Sequence, residues 1–409
     1  MTLSSPSTSS SSPKSSSPKS SSLMIATVSF EHVSKSFGSN VLFDNLNLKV
    51  NPGQFNVILG APASGKSTLL RLLIGLDKPS SGRIMLRGED VTGVAAGQRN
   101  IGYVPQTFAL YPHYSVYDNI AYPLRLNRVP TKEIKPIVEQ AAERLSIADL
   151  LTKRPDQVSG GQKQRVAIAR GIVKNTDIFV LDDPLTGLDF KLREQLFDDL
   201  QQMQAELAAS FIYTTSDTLE AQMLAQTIYV LDDGHVVETG DFEVVFEQPQ
   251  HRSTTALLGF PKTNMIAGEL AAQHVNCSSF NLTVQLDEDV AEQASSSVDL
   301  AVRPQHVVIN PNVSAGGAWL MSPATITLID NLGGEVVVYL ETAEGSLLAV
   351  LPQAAATNLS EGEVSIGIRP EHITIYDQHT GKRLGQGTSQ ASSTQTSSQA
   401  ASLEEVDRG

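Results

Sequence analysis

The sequence predicts an α/β domain with a mostly parallel sheet, followed by a smaller all-β domain. From Val28 to about Phe246, short apolar runs alternate with stretches of helical spacing, as in FNVILG followed by KSTLLRLLIG. Strands that alternate with helices are typical of a mostly parallel sheet covered by helices. After about Gly259 the helical spacing stops, and short segments such as EVVVYLE and VSIGIRP indicate small β-barrel-like modules.

The domain organisation follows from where this patterning begins and stops. We expect a disordered Ser/Pro-rich tail over residues 1–24, the α/β domain over 25–258, the β-rich domain over 259–380 and a second disordered tail over 381–409. Both tails are polar and of low complexity. Burial of apolar surface therefore cannot offset the entropy that they would lose on ordering.

Two segments of the β-rich domain echo each other, AVRPQHVVI at 301–309 and GIRPEHITI at 367–375. We interpret the echo as a duplicated or interleaved barrel element, with chance similarity of two strands as the alternative. His306 and His372 follow Arg-Pro in these segments. We expect structural roles for both, because no second ligand recurs at a spacing suited to a metal.

Composition excludes several classes of protein. The 409 residues carry a formal net charge of −14 and include one cysteine. An acidic chain argues against nucleic acid as the main partner, because phosphate backbones require a basic face. A single cysteine excludes an intramolecular disulfide framework. No apolar run reaches the roughly 18 residues that span a bilayer, and the N-terminal segment lacks the apolar core of a secretory signal. We expect a cytoplasmic chain that meets a membrane only through partners.

The first strand–loop–helix unit carries a phosphate-binding pattern. Residues 60–67, GAPASGKS, fit GxxxxGK[ST] between the apolar strand FNVILG and a helix, which is the context that the motif requires. Glycines let successive N–H groups turn toward an anion, and the helix start adds its positive dipole end. Lys66 is expected to reach the β- and γ-phosphates, and Ser67 to ligate Mg²⁺. The predicted nucleotide-binding residues here are Gly60, Ala61, Pro62, Ala63, Ser64, Gly65, Lys66, Ser67 and Thr68.

A second strand, DIFVLDD, runs apolar into Asp182 and Asp183. A carboxylate at the end of a buried strand is costly to leave unpaired, which indicates a function. Asp182 fits the Mg²⁺-associated aspartate of P-loop proteins, with an ordinary turn carboxylate as the alternative. Asp183 stands where a general base or a water-orienting carboxylate would be placed.

Between these motifs lies VSGGQKQRVAIAR, residues 158–170, which resembles the signature motif of ATP-binding-cassette (ABC) ATPases. The start of a helix can hold a γ-phosphate on its amide groups. In the family that phosphate belongs to the opposing subunit's nucleotide, so the resemblance implies a dimer of cassettes that sandwiches two ATP molecules. It also implies a P-loop NTPase cassette with an antiparallel β subdomain and a helical subdomain, followed by an all-β OB-like domain. The residues implied at the signature are Ser159, Gly160, Gly161 and Gln162.

Other positions match the family residue by residue. Phe37 stands at the aromatic that stacks on adenine, Gln106 at the glutamine that senses Mg²⁺ and the attacking water, and Asp189 at an aspartate near the dimer seam. The segment ALYPHYSVYDNI at 109–120 is similar to the one that receives the membrane subunit in carbohydrate-importer ATPases. The β-rich domain resembles the regulatory OB-type domain of the same subgroup.

Two positions depart from the family pattern. Asp183 replaces the catalytic glutamate, and Ser216 replaces a histidine that contacts the γ-phosphate. Asp183 is shorter by one methylene, and serine can donate one hydrogen bond but carries no positive charge. Both changes fall on the half-site that this chain builds with its own phosphate loop. The hypothesis is a heterodimer with a second, complete ATPase subunit; a homodimer with two slow sites is the competing interpretation.

The resemblance implies the ATP-binding subunit of an ABC importer, and the subgroup implies a carbohydrate or polyol as the solute. ATP and Mg²⁺ are the implied cofactors. The implied partners are membrane permease subunits, with an extracytoplasmic solute-binding protein acting indirectly, at the cytoplasmic face of the cell membrane. One alternative is a nearly inactive regulatory subunit that uses ATP as a dimer clamp. Another, a cassette acting on DNA or ribosomes, is disfavoured by the acidic balance and the single cassette.

Overall fold

A computed structural model describes residues 27–186, 190–271, 274–277, 281–286, 296–312, 318–343, 345–357 and 359–388. The N-terminal tail expected over 1–24 lies outside the described residues, as does the expected C-terminal tail from residue 389 onward. Among the described residues, no helix combines the length and the apolar character that crossing a membrane requires.

The α/β part alternates strands and helices as expected. Its strands are β1 (Val28–Phe37), β2 (Asn40–Val50), β3 (Phe55–Leu59), β4 (Ser81–Leu86), β5 (Glu89–Asp90), β6 (Gly102–Val104), β7 (Ile178–Asp182), β8 (Ser210–Thr215), β9 (Thr227–Asp232) and β10 (His235–Asp241). Its helices are α1 (Lys66–Ile74), α2 (Val116–Leu126), α3 (Thr131–Arg144), α4 (Gly160–Ile172), α5 (Phe190–Leu207), α6 (Thr218–Leu224), α7 (Phe242–Glu247) and α8 (Arg252–Leu258).

Two sheets form this part of the molecule. The larger has the order β10-β9-β3-β8-β7-β6, and its neighbours pair in parallel except β10 with β9. The smaller, β2-β1-β4-β5, is antiparallel. Helices α2, α3 and α4 lie between β6 and β7 in the sequence. They pack together and bury Ile120, Val138 and Ile168 in one core. The mostly parallel sheet, the antiparallel subdomain and the helical subdomain are thus confirmed.

The larger sheet is buried on both faces. On β3, Phe55, Val57 and Leu59 pack with the helical side of the core, whereas Ile58 packs with α1 and the antiparallel sheet. Strands covered on both faces are expected to be continuously apolar rather than alternating. Every residue of FNVIL, IFVLD and SFIYTT is accordingly buried, so none of these strands has a solvent-exposed face.

The C-terminal part is all-β. Its strands are β11 (Asn264–Ala271), β12 (His274–Asn276), β13 (Asn281–Leu286), β14 (Ser297–Val302), β15 (Val307–Ile309), β16 (Leu320–Asn331), β17 (Glu335–Thr342), β18 (Gly345–Pro352), β19 (Gly362–Ile368), β20 (Ile373–Asp377) and β21 (Arg383–Gly387). Six form a closed barrel in the order β11-β12-β13-β21-β20-β14, and five form a sheet in the order β15-β19-β16-β17-β18. The barrel fits the expected OB-type fold.

One expected boundary is corrected. The sequence placed a tail from residue 381, but residues 383–387 form β21, which pairs with β13 and β20 and completes the barrel. The segment RLGQG has little apolar character of its own, and its place in the sheet comes from pairing with strands far away in sequence. Local composition therefore could not identify it.

The echoed segments mark the two crossings between barrel and sheet. The chain passes from barrel strand β14 through the 3₁₀ turn Pro304–His306 into sheet strand β15, and from sheet strand β19 through the turn Pro370–His372 into barrel strand β20. The two histidine rings stack there, with centroids 4.0 Å apart. The interleaved interpretation of the echo agrees with this path, and the structural expectation for both histidines agrees with the stack.

Helix α8 joins the two parts. Arg252 Nη1 lies 2.8 Å from Asp299 Oδ2 of the barrel, and Thr255 Oγ1 lies 2.6 Å from the Tyr376 hydroxyl. That hydroxyl also donates to the carbonyl oxygen of Pro249 at 2.9 Å. Buried polar contacts of this kind hold the barrel against the end of the α/β part.

Candidate nucleotide-binding site

A tight loop joins the end of β3 to the start of α1. A Cβ added at Gly60 would lie 2.5 Å from the carbonyl oxygen of Leu231, and one at Gly65, where φ is +103°, would lie 2.8 Å from the Phe43 ring. No other residue type meets both demands without strain. The path of the loop therefore depends on the two glycines of the predicted motif.

The start of α1 is open toward solvent. No side chain caps the helix at Gly65, so its first N–H groups lack an acceptor within the helix. The Lys66 ammonium lies across the loop and donates to the carbonyl oxygens of Gly60 and Ala61 at 2.7 and 2.9 Å. Free amides, a positive dipole end and an ammonium together can hold an anionic phosphate.

Two consecutive carboxylates face this loop. Asp182, at the end of β7, is buried, and its Oδ1 accepts hydrogen bonds from Ser67 Oγ and Thr214 Oγ1, both at 3.0 Å. Asp183 follows in the left-handed region, with φ +44°. Its Oδ2 accepts a hydrogen bond from Gln106 Nε2 at 3.2 Å. The structure thus brings the two predicted acids and the predicted glutamine into one contact network.

Burial sets the electrostatics of the site. It raises the pKa of the Asp182 carboxyl, while the hydrogen bonds from Ser67 and Thr214 act in the opposite direction. It lowers the pKa of Lys66, whereas the nearby charges of Asp183 and Asp182 favour the ammonium form. A half-buried ammonium beside two carboxylates favours a ligand that brings both negative charge and a divalent cation.

These residues surround one cavity of about 490 Å³. Leu42 and Thr186 also line it, although the sequence analysis did not single them out. Leu42 lies in the antiparallel sheet, which only the tertiary fold brings to the loop. The predicted residues that line the cavity are Pro62, Ala63, Gly65, Lys66, Ser67, Thr68, Gln106, Asp182, Asp183 and Ser216.

Other predicted residues lie away from the cavity lining. Phe37, at the end of β1, is 52% exposed, and the Lys35 ammonium lies 4.7 Å from the centre of its ring. An exposed ring leaves area on which a planar base can stack. Ser64 Oγ is buried and makes no hydrogen bond within the described part of the chain. Asp189 lies outside the described residues.

The signature residues form a second helix start, at α4. Ser159 Oγ accepts a hydrogen bond from the Gln162 N–H at 3.3 Å, and Gln162 Oε1 accepts one from the Ser159 N–H at 3.0 Å. This is a reciprocal capping box. Ser159 and Gly160 are exposed, whereas Gly161 is buried. The group does not line the cavity of the phosphate loop.

Sequence reasoning missed Thr214, which contacts both acids. Its hydroxyl donates to Asp182 and accepts from the backbone N–H of Asp183. The available signal was weak, because Thr214 is one of several hydroxyl-bearing residues in the strand SFIYTT. Its partner could not be read from the sequence, because it depends on the register between β7 and β8.

The segment at 109–120 and the helix α2, which overlaps its end, together form an aromatic surface. The rings of Tyr111, Tyr114 and Tyr122 contact one another, with centroids 4.7–6.1 Å apart. The Arg170 guanidinium lies 5.7 Å from the Tyr111 ring centre. A groove of about 240 Å³ runs past Tyr111, Tyr122 and the exposed Leu126. Aromatic and arginine side chains of this kind are enriched at protein–protein interfaces.

The fold and site together define a P-loop ATPase of the cassette class. Two family descriptions match the chain: ABC transporter over residues 43–186, and TOBE domain over residues 300–365. The chain therefore belongs to the ABC transporter ATP-binding proteins, as the relatives below also establish.

Similar proteins match over most of their length. The chain is 35% identical over 324 residues to the osmoprotective compounds uptake ATP-binding protein GgtA of Synechocystis sp., which covers 79% of this chain and 89% of that one. It is 34% identical over 372 residues to the maltose/maltodextrin import ATP-binding protein MalK of Vibrio vulnificus, covering 88% and 98%. A solved structure of cbiO1 from Clostridium perfringens, part of the ABC transporter complex cbiONQ, is 28% identical with a TM-score of 0.50, covering 55% and 91%.

Proposed function

We propose that this chain is the ATP-binding subunit of an ABC importer for a carbohydrate, a polyol or a related osmoprotective solute. The observation that carries the proposal is the similarity to import and uptake ATP-binding proteins along 89% and 98% of their length, C-terminal domain included. The cavity between the phosphate loop and the acidic pair supports ATP as the energy source. The subunit would act at the cytoplasmic face of the membrane.

In this proposal the predicted site residues have distinct roles. The open N–H groups of α1 and the Lys66 ammonium bind the phosphates. Ser67, Asp182 and Gln106 would hold Mg²⁺, whose charge offsets that of the phosphates. Asp183 orients the attacking water through its carboxylate, and Ser216 donates a hydrogen bond to the terminal phosphate. Phe37 supplies the surface for the adenine ring.

The two departures from the family pattern lead to a proposed asymmetry. The carboxylate of Asp183 is one methylene shorter than that of the glutamate it replaces, and it already contacts Gln106 at 3.2 Å. A displacement of about 1 Å in the reacting geometry can cost roughly 100-fold in rate. Hydrolysis at this site would be slow, and the chain would pair with a second, complete ATPase subunit. A homodimer with two slow sites is the competing arrangement.

Membrane partners would dock on the aromatic surface of Tyr111, Tyr114 and Tyr122. Three exposed or half-buried rings beside a groove can receive a helix from a permease subunit. Tyr111→Ala should uncouple the complex, so that the permease subunits no longer co-purify while the isolated chain still binds ATP. Leu207→Ala, at an exposed apolar residue on α5, is the matched control and should leave co-purification intact.

Uptake in cells tests the proposed function directly. A strain that lacks the chain should lose uptake of labelled maltodextrin or of an osmoprotective compound, and the wild-type gene should restore it. The Lys66→Ala variant should not restore it. Normal uptake of all such solutes in the deletion strain would refute the proposal.

Turnover of the purified complex separates the alternatives. A single ATPase species in the co-purified transporter would refute the heterodimer. A complex in which transport survives Asp183→Asn in this chain would favour the second candidate, a regulatory subunit that uses ATP only as a dimer clamp. The observation that favours that candidate is the missing cationic side chain at Ser216.

A further inference from the structure

Thr214 lies between the two acids of the site although neither motif includes it. In the parallel pairing of β7 with β8, Thr214 is the direct partner of Asp182. Its side chain is fully buried, with 0% of its surface exposed. A buried hydroxyl requires hydrogen-bond partners, and those of Thr214 are both acidic residues.

The hydroxyl of Thr214 uses both of its hydrogen-bonding capacities at the site. It donates to Asp182 Oδ1 at 3.0 Å and accepts from the backbone N–H of Asp183 at 3.2 Å. A hydroxyl has one donor and two acceptor lone pairs, so the two bonds are compatible. Thr214 therefore links the carboxylate of one acid to the main chain of the next.

The same residue also holds the backbone turn at Asp183. The Asp183 N–H donates to the carbonyl oxygen of Thr214 at 3.1 Å as well as to its hydroxyl. Asp183 adopts φ +44°, a conformation that non-glycine residues rarely take unless their surroundings impose it. This turn directs the Asp183 carboxylate to Gln106, 3.2 Å from its Nε2.

Asp182 has a second hydroxyl partner of a different kind. Ser67 Oγ also donates to Asp182 Oδ1, but Ser67 lies on the phosphate loop itself. Thr214 is part of the central sheet, whose strand β8 is buried along its whole length. Of these two partners, Thr214 is the one anchored independently of the ligand-binding loop.

We propose that Thr214 is a positioning residue that fixes the orientation of both acids, Asp182 for the divalent cation and Asp183 for the attacking water. The inference rests on the proposed nucleotide site and adds a residue to it. Removing the hydroxyl would leave Asp182 with Ser67 as its remaining hydroxyl partner and would loosen the turn at Asp183.

The test compares nucleotide affinity with and without Mg²⁺, using the full chain and a fluorescent ATP analogue. The measured quantity is the gain in affinity on replacing EDTA by excess Mg²⁺. Thr214→Val keeps the shape but removes the hydroxyl, and it should reduce this gain roughly 10-fold, as expected for one hydrogen bond to a charged group. Affinity in EDTA, which depends on Lys66 and the helix start, should stay within about threefold. Thr214→Ser should restore the gain.

Thr215 provides a matched control on the same strand. It is equally buried, at 1% exposed, and its hydroxyl donates to a different carboxylate, Glu220 Oε2, at 2.7 Å. Thr215→Val should lower thermal stability as much as Thr214→Val but leave the Mg²⁺-linked gain at the wild-type value. If the valine variants fail to fold, Thr214→Ala and Thr215→Ala serve as the pair.

Each outcome decides between the proposals. The positioning role would be overturned if Thr214→Val kept the wild-type gain in affinity on adding Mg²⁺, or if Thr215→Val lost as much of that gain. Either result would leave the proposed nucleotide site intact. A wild-type chain that binds no ATP analogue under either condition would overturn the proposed function and, with it, this inference.

Discussion

The two helix starts of the cassette, at α1 and at α4, differ in how their first amides are satisfied. Helix α1 begins after Gly65 with no side-chain cap. Helix α4 begins after Ser159, whose hydroxyl and whose partner Gln162 close a capping box. One helix start is open and faces the cavity of its own chain. The other is closed by its own side chains and is exposed on the surface.

This difference indicates what each helix start can bind without a second subunit. An uncapped start offers unpaired N–H groups to a phosphate within the same chain. A capped start is stable without a ligand, and it can meet the phosphate of another subunit without first having to order itself. The α1 start should therefore govern ATP affinity, and the α4 start should govern association.

The largest expected effect is at the open start. Lys66→Ala should lower ATP affinity about 1,000-fold, because it removes hydrogen bonds to both the β- and γ-phosphates and each such bond to a charged group is worth roughly 1.5–3 kcal/mol. Isothermal titration of the full chain measures it. Lys135→Ala, at an exposed lysine on α3 with 72% of its side chain accessible, is the control. An affinity loss below tenfold would show that the ammonium is not a phosphate ligand.

Restoring the family's residues at positions 183 and 216 should have the next largest effect. Asp183→Glu combined with Ser216→His should raise ATP turnover by up to about 100-fold, because the longer carboxylate and the imidazole correct positioning at the reacting phosphate. Steady-state phosphate release by the assembled complex is the measurement. ATP affinity should change less than threefold. Unchanged turnover would mean that chemistry at this site does not limit the cycle.

The capped start should respond more weakly. Ser159→Ala removes a cap worth about 1 kcal/mol, so ATP-dependent association with a second cassette should weaken about fivefold while ATP affinity of the isolated chain is retained. Analytical ultracentrifugation with and without ATP separates the two. Ser115→Ala, which removes the equivalent cap of α2, should lower stability without affecting association. Weaker ATP binding in Ser159→Ala would contradict the division between the two starts.

The smallest effect lies outside both helix starts and tests the stacked histidines. Burial, with the nearby His372 and Arg303, lowers the pKa of His306. The unfolded chain then binds the proton first as pH falls, so this contribution to stability is full above pH ~6.5 and is lost as pH falls through the lower folded pKa. His306→Gln should therefore make the free energy of unfolding depend less on pH between pH 7 and pH 5.

Tryptophan fluorescence measures that dependence. The chain has one tryptophan, and Trp319 lies in the same part of the molecule, with the Arg369 guanidinium 4.9 Å from its ring. Urea unfolding followed by this signal therefore reports the β-rich part. If the free energy of unfolding of His306→Gln depends on pH as steeply as that of the wild type, other groups cause the dependence.

Local patterns in the sequence predicted the features that depend on near neighbours. The glycines, Lys66 and Ser67 of the phosphate loop lie within one short segment, and Asp182 follows directly from its own strand. Thr214 could not be found in this way, because its role arises from a pairing between β7 and β8 that only the assembled sheet defines. The contact between Gln106 and Asp183 joins two loops in the same manner.

The barrel shows the same limit at a larger scale. Strand β21 lacks an apolar pattern, and it holds its place by hydrogen bonds to β13 and β20. The echo of the Arg-Pro-x-His segments was visible, but their role as crossings between barrel and sheet required knowing which strands they connect. Sequence patterns indicate which residues are buried, whereas the tertiary structure determines which strands pair with each other.

The position of β21 has a consequence for how the chain is made. The ribosome delivers β11 well before β21, with most of the β-rich part between them, yet the two belong to one closed ring of strands. Until residues 383–387 emerge, β13 and β20 have exposed edges, which are sites for pairing with other chains. Contacts between such distant segments also form slowly. The cassette can fold during synthesis, while the barrel must wait for almost the last residues of the described chain, and newly made copies are most prone to misassembly in that interval.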